Sequence, residues 1–142
     1  MSRTTIREIL GDRPLYSVGP ETSLREAAKH MTLNGVGAVA VIEGDTLVGI
    51  LTERDIVFRG VGGDLSMENT TTAQIMTPSP VTVDIDDAVS DTLAAKIGDA
   101  FRHLPVLENG AVVGLLSYRD IPAEYVMMFE RFREISSSRA DD

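Results

Sequence analysis

Gly49-Ile50-Leu51-Thr52-Glu53-Arg54-Asp55-Ile56 is written a second time in this chain, as Gly114-Leu115-Leu116-Ser117-Tyr118-Arg119-Asp120-Ile121. The second stretch follows the first by 65 positions. Holding that offset and walking backwards sets Val41-Ile42-Glu43 on Val106-Leu107-Glu108, and Val18 on Val83. No gap is needed between Val18 and Ile56. One extra residue between Gly11 and Pro14 then brings Ile9-Leu10 onto Ile75-Met76. Unrelated segments do not hold register that long, so the chain is an internal duplication.

Each copy carries the same order of elements. Ser23 can cap a helix whose apolar positions Leu24, Ala27, Ala28 and Met31 have helical spacing, with Gly35 as its stop. Ala38 to Ile42 is β-rich, Glu43-Gly44-Asp45 is turn chemistry, and Thr46 to Leu51 is a second strand. Thr52 then opens a helix running to about Gly60. The second copy predicts a helix from about Asp87 to Ile97 with Gly98 behind it. A strand at Leu104 to Leu107, a turn at Glu108-Asn109-Gly110 and a strand at Val112 to Leu116 follow. The fold expected is α/β, two pseudo-symmetric βαββα-type repeats packed face to face, because one repeat of about 60 residues buries too little surface alone. Residues 4–61 form the first repeat, 62–72 a polar Gly/Thr-rich linker, 73–135 the second repeat with a C-terminal helix, and 136–142 a tail. That helix is expected from Pro122 to Ile135. Its stripe of Tyr125, Met128, Phe129, Phe132 and Ile135 must be covered by its own repeat or by another chain.

Composition narrows the functions. An apolar fraction of 43% and a charged fraction of 25% are those of a globular protein. A net charge of −9 repels polyphosphate backbones, so nucleic acid is not expected as a partner. No cysteine is present for disulfides or thiolate metal sites, and two His, His30 and His103, do not make a metal site. No apolar run approaches the ~20 residues of a membrane span, and no secretory signal is visible, so the cytoplasm is the expected address.

The shared signature is Gly, two apolar residues, Ser or Thr, two variable residues, then Asp. A strand runs straight into a helix capped by a hydroxyl, with a carboxylate at its third position. Free N–H groups at such a helix start attract anions. The carboxylate can accept two hydrogen bonds from vicinal ribose hydroxyls. The same pattern is also close to a capping box, a purely structural device. Duplication copies caps as readily as sites, so both readings stay open.

The order helix, strand, turn, strand and this motif, twice over, resembles the tandem CBS domain pair (Bateman module) in its stand-alone bacterial form. The resemblance covers roughly Ile6 to Ile121, and Phe101-Arg102-His103-Leu104-Pro105-Val106 resembles the characteristic strand of that family. It implies binding of AMP, ADP, ATP, S-adenosylmethionine or NAD(H) in clefts between repeats, each cleft using the motif of one repeat and the adenine pocket of the other. Site A would join Thr52 and Asp55 to Pro80, Val81, Arg102, His103 and Pro105. Asp55 would hold the ribose, Pro80 and Val81 flank the adenine, and Arg102 and His103 reach the phosphates. Site B would join Ser117 and Asp120 to Leu15, Tyr16, Gly37, Ala38 and Ala40. Gly37 and Ala38 stand where site A has Arg102 and His103, so site B is expected to lack those cationic groups and to be the weaker anion site. Pro122 also interrupts a helix begun at Ser117, which bears on where Asp120 points. Arg54 and Arg119 precede each Asp and are either phosphate ligands or solvated surface residues. His103 is either a ligand or a structural group, and His30 is read as surface.

The function expected from the resemblance is a regulatory adenine-nucleotide sensor that requires no cofactor, forms a homodimer and acts on an unidentified regulated protein. The alternatives are a structural dimerisation module with empty clefts, or a binder of NAD(H) or S-adenosylmethionine. An enzyme is not expected, since no nucleophile–base pair, metal set or separated carboxylate pair is visible.

Overall fold

A computed structural model describes residues 4–96, 103–117, 120–122 and 127. The elements run α1 (Ile6–Leu10), β1 (Ser17–Val18), α2 (Leu24–Asn34), β2 (Ala38–Glu43), β3 (Thr46–Thr52) and α3 (Glu53–Asp55) in the first repeat. α4 (Thr72–Ile75), β4 (Thr77–Pro78), β5 (Val83–Asp84), α5 (Val89–Lys96), β6 (His103–Glu108) and β7 (Ala111–Ser117) follow. Arg102, Arg119 and the stripe expected on the C-terminal helix lie outside the described residues, as does the stop at Gly98.

Local chemistry sets the ends of α2. The Ser23 side chain accepts a hydrogen bond from the Glu26 N–H, and Gly35 closes the helix at φ +63°, a left-handed turn that costs glycine nothing. Leu24, Ala27 and Met31 are the buried face, as their spacing predicts.

The duplication extends to irregularities. β2 and β3 pair antiparallel with a bulge at Val41/Ile42, and β6 and β7 pair antiparallel with a bulge at the equivalent Val106/Leu107. β1 joins β2, and β5 joins β6, both in parallel. The hairpin turn carries Gly44 at φ +62° and, at the equivalent place, Asn109 at φ +53°. Asn is among the few other residues that tolerate this region.

Two expectations need correction. The segment after Thr52 is not a uniform α-helix: α3 lasts three residues, and Ile56–Val61 winds as a π-helix. The linker, read as merely polar, is tied down. Thr72 is fully buried with its hydroxyl donating to the Thr22 carbonyl at 2.8 Å, and the Thr70 and Met67 carbonyls accept from the N–H groups of Leu24 and Arg25.

The structure adds an exchange of first helices. α1 inserts Ile6 and Leu10 into the second repeat's core with Val83, Val89, Leu104, Val106 and Leu116. Ile75, at the end of α4, packs with Leu24, Val39, Val41 and Leu51 of the first repeat. β4 completes the first sheet, whose order is β1-β2-β3-β4, while the second is β5-β6-β7. The two sheets meet where β2 and β3 approach β7. Fully burying one such aliphatic side chain contributes roughly 1.5–3 kcal/mol, so each repeat depends on the other's leading helix. On the rim, Arg7 bonds Asp86 at 3.0 Å and Glu108 at 2.6 Å, and these carboxylates hold its guanidinium still further above its usual range.

Candidate functional site

The exchange carries the segment after each leading helix to the motif of the opposite repeat. β4 follows α4 and pairs Gly49 with Pro78 and Ile50 with Thr77. This approach leaves no room for a side chain at the motif glycines. A Cβ on Gly49 would meet the Met76 sulfur at 2.6 Å and the Thr77 carbonyl oxygen at 2.8 Å, and one on Gly114 would meet Leu10 at 2.8 Å. Leu10 and Met76 are equivalent across the duplication, so the motif begins with Gly in both copies for one steric reason.

Asp55 is 9% exposed. Its Oδ2 accepts the Thr52 N–H at 3.1 Å, and the Thr52 hydroxyl accepts the Asp55 N–H at 3.1 Å, a complete capping box. The Thr77 hydroxyl, arriving from the opposite repeat, lies 3.5 Å from both carboxylate oxygens. The structural reading of the motif therefore holds for Oδ2. Among the described residues Oδ1 is met only by the distant Thr77 hydroxyl, and it keeps acceptor capacity for a further donor. A buried carboxylate with that capacity can take a ligand hydroxyl without losing its cap.

Asp120 keeps the carboxylate half of that cap despite Pro122: its Oδ2 accepts the Ser117 N–H at 2.7 Å. Its Oδ1, however, is 2.5 Å from Nη1 of Arg13. The positions matching Arg102 and His103 are still Gly37 and Ala38, yet a cation does stand at Asp120. The cation comes from the segment after α1, where the two repeats differ in length, rather than from β2. Neither Arg13 nor Thr77 was singled out in the sequence. The unmatched residue between Gly11 and Pro14 was the one available signal.

The remaining expected site residues fall as follows. Pro80 and Val81 continue from β4, on the segment that brings Thr77 to Asp55, with Pro80 half-buried and Val81 exposed. Leu15 and Tyr16, both half-buried, likewise follow Arg13. Ala38 is the cross-strand partner of Thr52 and His103 of Ser117, so each stands opposite the hydroxyl of its own repeat. The Gly37 carbonyl accepts the Glu53 N–H at 2.9 Å. Ala40 and Pro105 are buried in β2 and β6. Arg54 lies exposed over the Phe58 ring at 4.9 Å, a cation–π contact on the solvent side. His30 is not a plain surface residue: it is half-buried with its ring edge-on to Tyr16 at 6.0 Å. Among the described residues no group of His, Asp and Glu could hold a metal ion, and no helix is long and apolar enough to cross a membrane.

A family model for the CBS domain matches the chain twice, over residues 6–62 and 73–124. The CBS domain-containing protein CBSCBSPB5 of Arabidopsis thaliana is 34% identical over 116 residues, 81% of this chain and 21% of that protein. This chain therefore spans about a fifth of that plant relative's length. The crystal structure of the CBS-domain containing protein ATU1752 from Agrobacterium tumefaciens is 31% identical with a TM-score of 0.73, covering 82% of this chain and 95% of that one. The CBS domain protein PAE2072 from Pyrobaculum aerophilum, complexed with AMP, is 26% identical with a TM-score of 0.74, covering 89% and 98%.

Proposed function

The chain belongs to the CBS domain family, as a tandem pair, and from this we propose that it is a regulatory module binding an adenine nucleotide, AMP first, in the cleft that holds Asp55. The observation carrying this reading is the Asp55 carboxylate: buried, capped through one oxygen, and with acceptor capacity left on the other. A ribose presents two vicinal hydroxyl donors, and a charged acceptor makes the stronger hydrogen bond. The AMP complex of the Pyrobaculum aerophilum relative supports the choice of nucleotide. In this reading Pro80 and Val81 flank the adenine, while His103 and Arg102 face the phosphate. Ligand binding biases how the module pairs with itself or with a regulated protein, without turnover.

We further propose that the module pairs with a second copy. Leu33 is 85% exposed and Phe58 65%, with Val57 and Val61 also open to solvent. A groove of about 440 Å³ lined by Arg25, Ala28, Lys29, Thr32, Leu33 and Met67 runs along the outer face of α2. Apolar surface of this kind suits an interface.

Thermal unfolding with AMP, ATP, NADH and S-adenosylmethionine tests the ligand class. A ligand at about 100 times its dissociation constant adds about 2.7 kcal/mol, several degrees for a domain of this size. A shift with AMP is expected. No shift with any of the four would favour a purely structural dimerisation module.

A further inference from the structure

We propose that Arg13 is the residue that sets ligand access to the second cleft, holding the Asp120 carboxylate closed to a ribose until it is displaced. This rests on the adenine-nucleotide reading above. The two motif aspartates share the bond from Oδ2 to the N–H of the motif Thr or Ser, and differ in what meets the remaining oxygen. At Asp55 it is a neutral hydroxyl, Thr77, at 3.5 Å. At Asp120 it is a guanidinium at 2.5 Å. Both groups come from the segment that follows the leading helix of the opposite repeat.

The placement of Arg13 follows from the fold. Ile6 and Leu10 fix α1 in the core of the second repeat. Gly11, at φ +58°, turns the chain at the end of that helix. Arg13 lies just beyond, and its Nη2 donates to the Ile9 carbonyl at 3.1 Å while Nη1 faces Asp120. The guanidinium thus spans the end of α1 and the carboxylate. Asp120 is 21% exposed and Arg13 47%, so the pair is partly sheltered yet still open to screening by salt. With Oδ2 on the Ser117 N–H and Oδ1 on Arg13, each Asp120 oxygen already accepts a bond, and the one on Oδ1 is charge-assisted. Ribose hydroxyls must compete with the guanidinium to reach it. At Asp55 they need only displace a weak hydroxyl contact. The clefts are consequently unequal, and the first fills before the second.

Calorimetry with AMP on the full chain tests this, comparing wild type, Arg13→Gln, Asp55→Ala and the double variant. A contact that keeps a cleft competent only about a tenth of the time weakens apparent affinity about tenfold. Wild type is expected to take one AMP tightly, and Arg13→Gln to take a second. In the Asp55→Ala background, Arg13→Gln is expected to strengthen AMP binding about tenfold. A second-cleft affinity unchanged or weakened by Arg13→Gln overturns the proposal. Asp55-dependent binding in wild type would then leave the nucleotide reading standing. No binding by any of the four proteins overturns both. A second measurement needs no substitution at Arg13. Adenosine carries no charge, so its binding to Asp55→Ala is expected to strengthen as salt of about 0.5 M screens the Arg13–Asp120 pair. Binding that does not strengthen with salt counts against the proposal.

Discussion

Gly114 and Leu10 are in such close contact that a Cβ on the glycine would come within 2.8 Å of both Leu10 methyl groups. The equivalent pair, Gly49 and Met76, is tighter, with the Thr77 carbonyl oxygen also 2.8 Å from the missing Cβ. A methionine tip can move aside, whereas the β4 backbone is held in a sheet. Gly49→Ala is therefore expected to destabilise the chain by about 1–3 kcal/mol, and Gly114→Ala by less, since only a side chain must give. Urea unfolding of both variants checks the order. Equal costs would mean that the β4 backbone yields as easily as Leu10.

Truncation from the N-terminus is ordinarily tolerated in a small domain. Here Ile6 is fully buried, and in the core of the second repeat rather than the first. Ile6→Ala is expected to cost about 2–5 kcal/mol. Hydrogen exchange is expected to show the loss in β6 and β7 before β2 and β3. Loss of protection confined to the first repeat would contradict the helix exchange.

The ion pairs of Arg7 with Asp86 and Glu108 tie the same helix to the second repeat at the rim. They are half-exposed, so salt weakens them. Arg7→Ala is expected to lower the melting temperature slightly at low ionic strength, with the difference fading by about 0.5 M salt. A deficit that persists undiminished at high salt would point to lost packing instead.

If the module pairs with a second copy through the face bearing Phe58, a charge there separates the chains. Phe58→Asp is expected to shift the mass measured by light scattering from dimer to monomer while leaving the secondary structure intact. A wild-type protein that is monomeric at working concentrations, or a variant that stays dimeric, removes this face from the interface.

Most of the fold was legible because duplication makes each half a test of the other. The bulge at Val41/Ile42 and its copy at Val106/Leu107, and the left-handed Gly44 and Asn109, keep the offset that the motif first reveals. What stayed hidden depends on long-range docking. The spacing of Ile6 and Leu10 marks a short amphipathic helix but cannot say which sheet it covers. Arg13 and Asp120 lie 107 positions apart, and nothing local to either announces the other. The π-helical turn at Ile56–Val61 differs from an α-helix by one residue in hydrogen-bond spacing, and a run of six residues is too short for pattern to separate them. For the candidate site, the capping-box geometry at Asp55 was legible as one of two readings, and the structure keeps the cap while leaving Oδ1 with capacity to act.

The sharpest single measurement is a calorimetric titration of AMP into the wild-type chain and into Asp55→Ala, with Asp55→Asn as a second variant to guard against loss of the cap. Removing a charged hydrogen-bond acceptor costs about 1.5–3 kcal/mol, or roughly 10–100-fold in affinity. Wild type is expected to bind, and both folded variants to bind weaker by that factor. Unchanged AMP affinity in a folded Asp55→Ala chain would contradict the assignment of Asp55 as the group that holds the ribose.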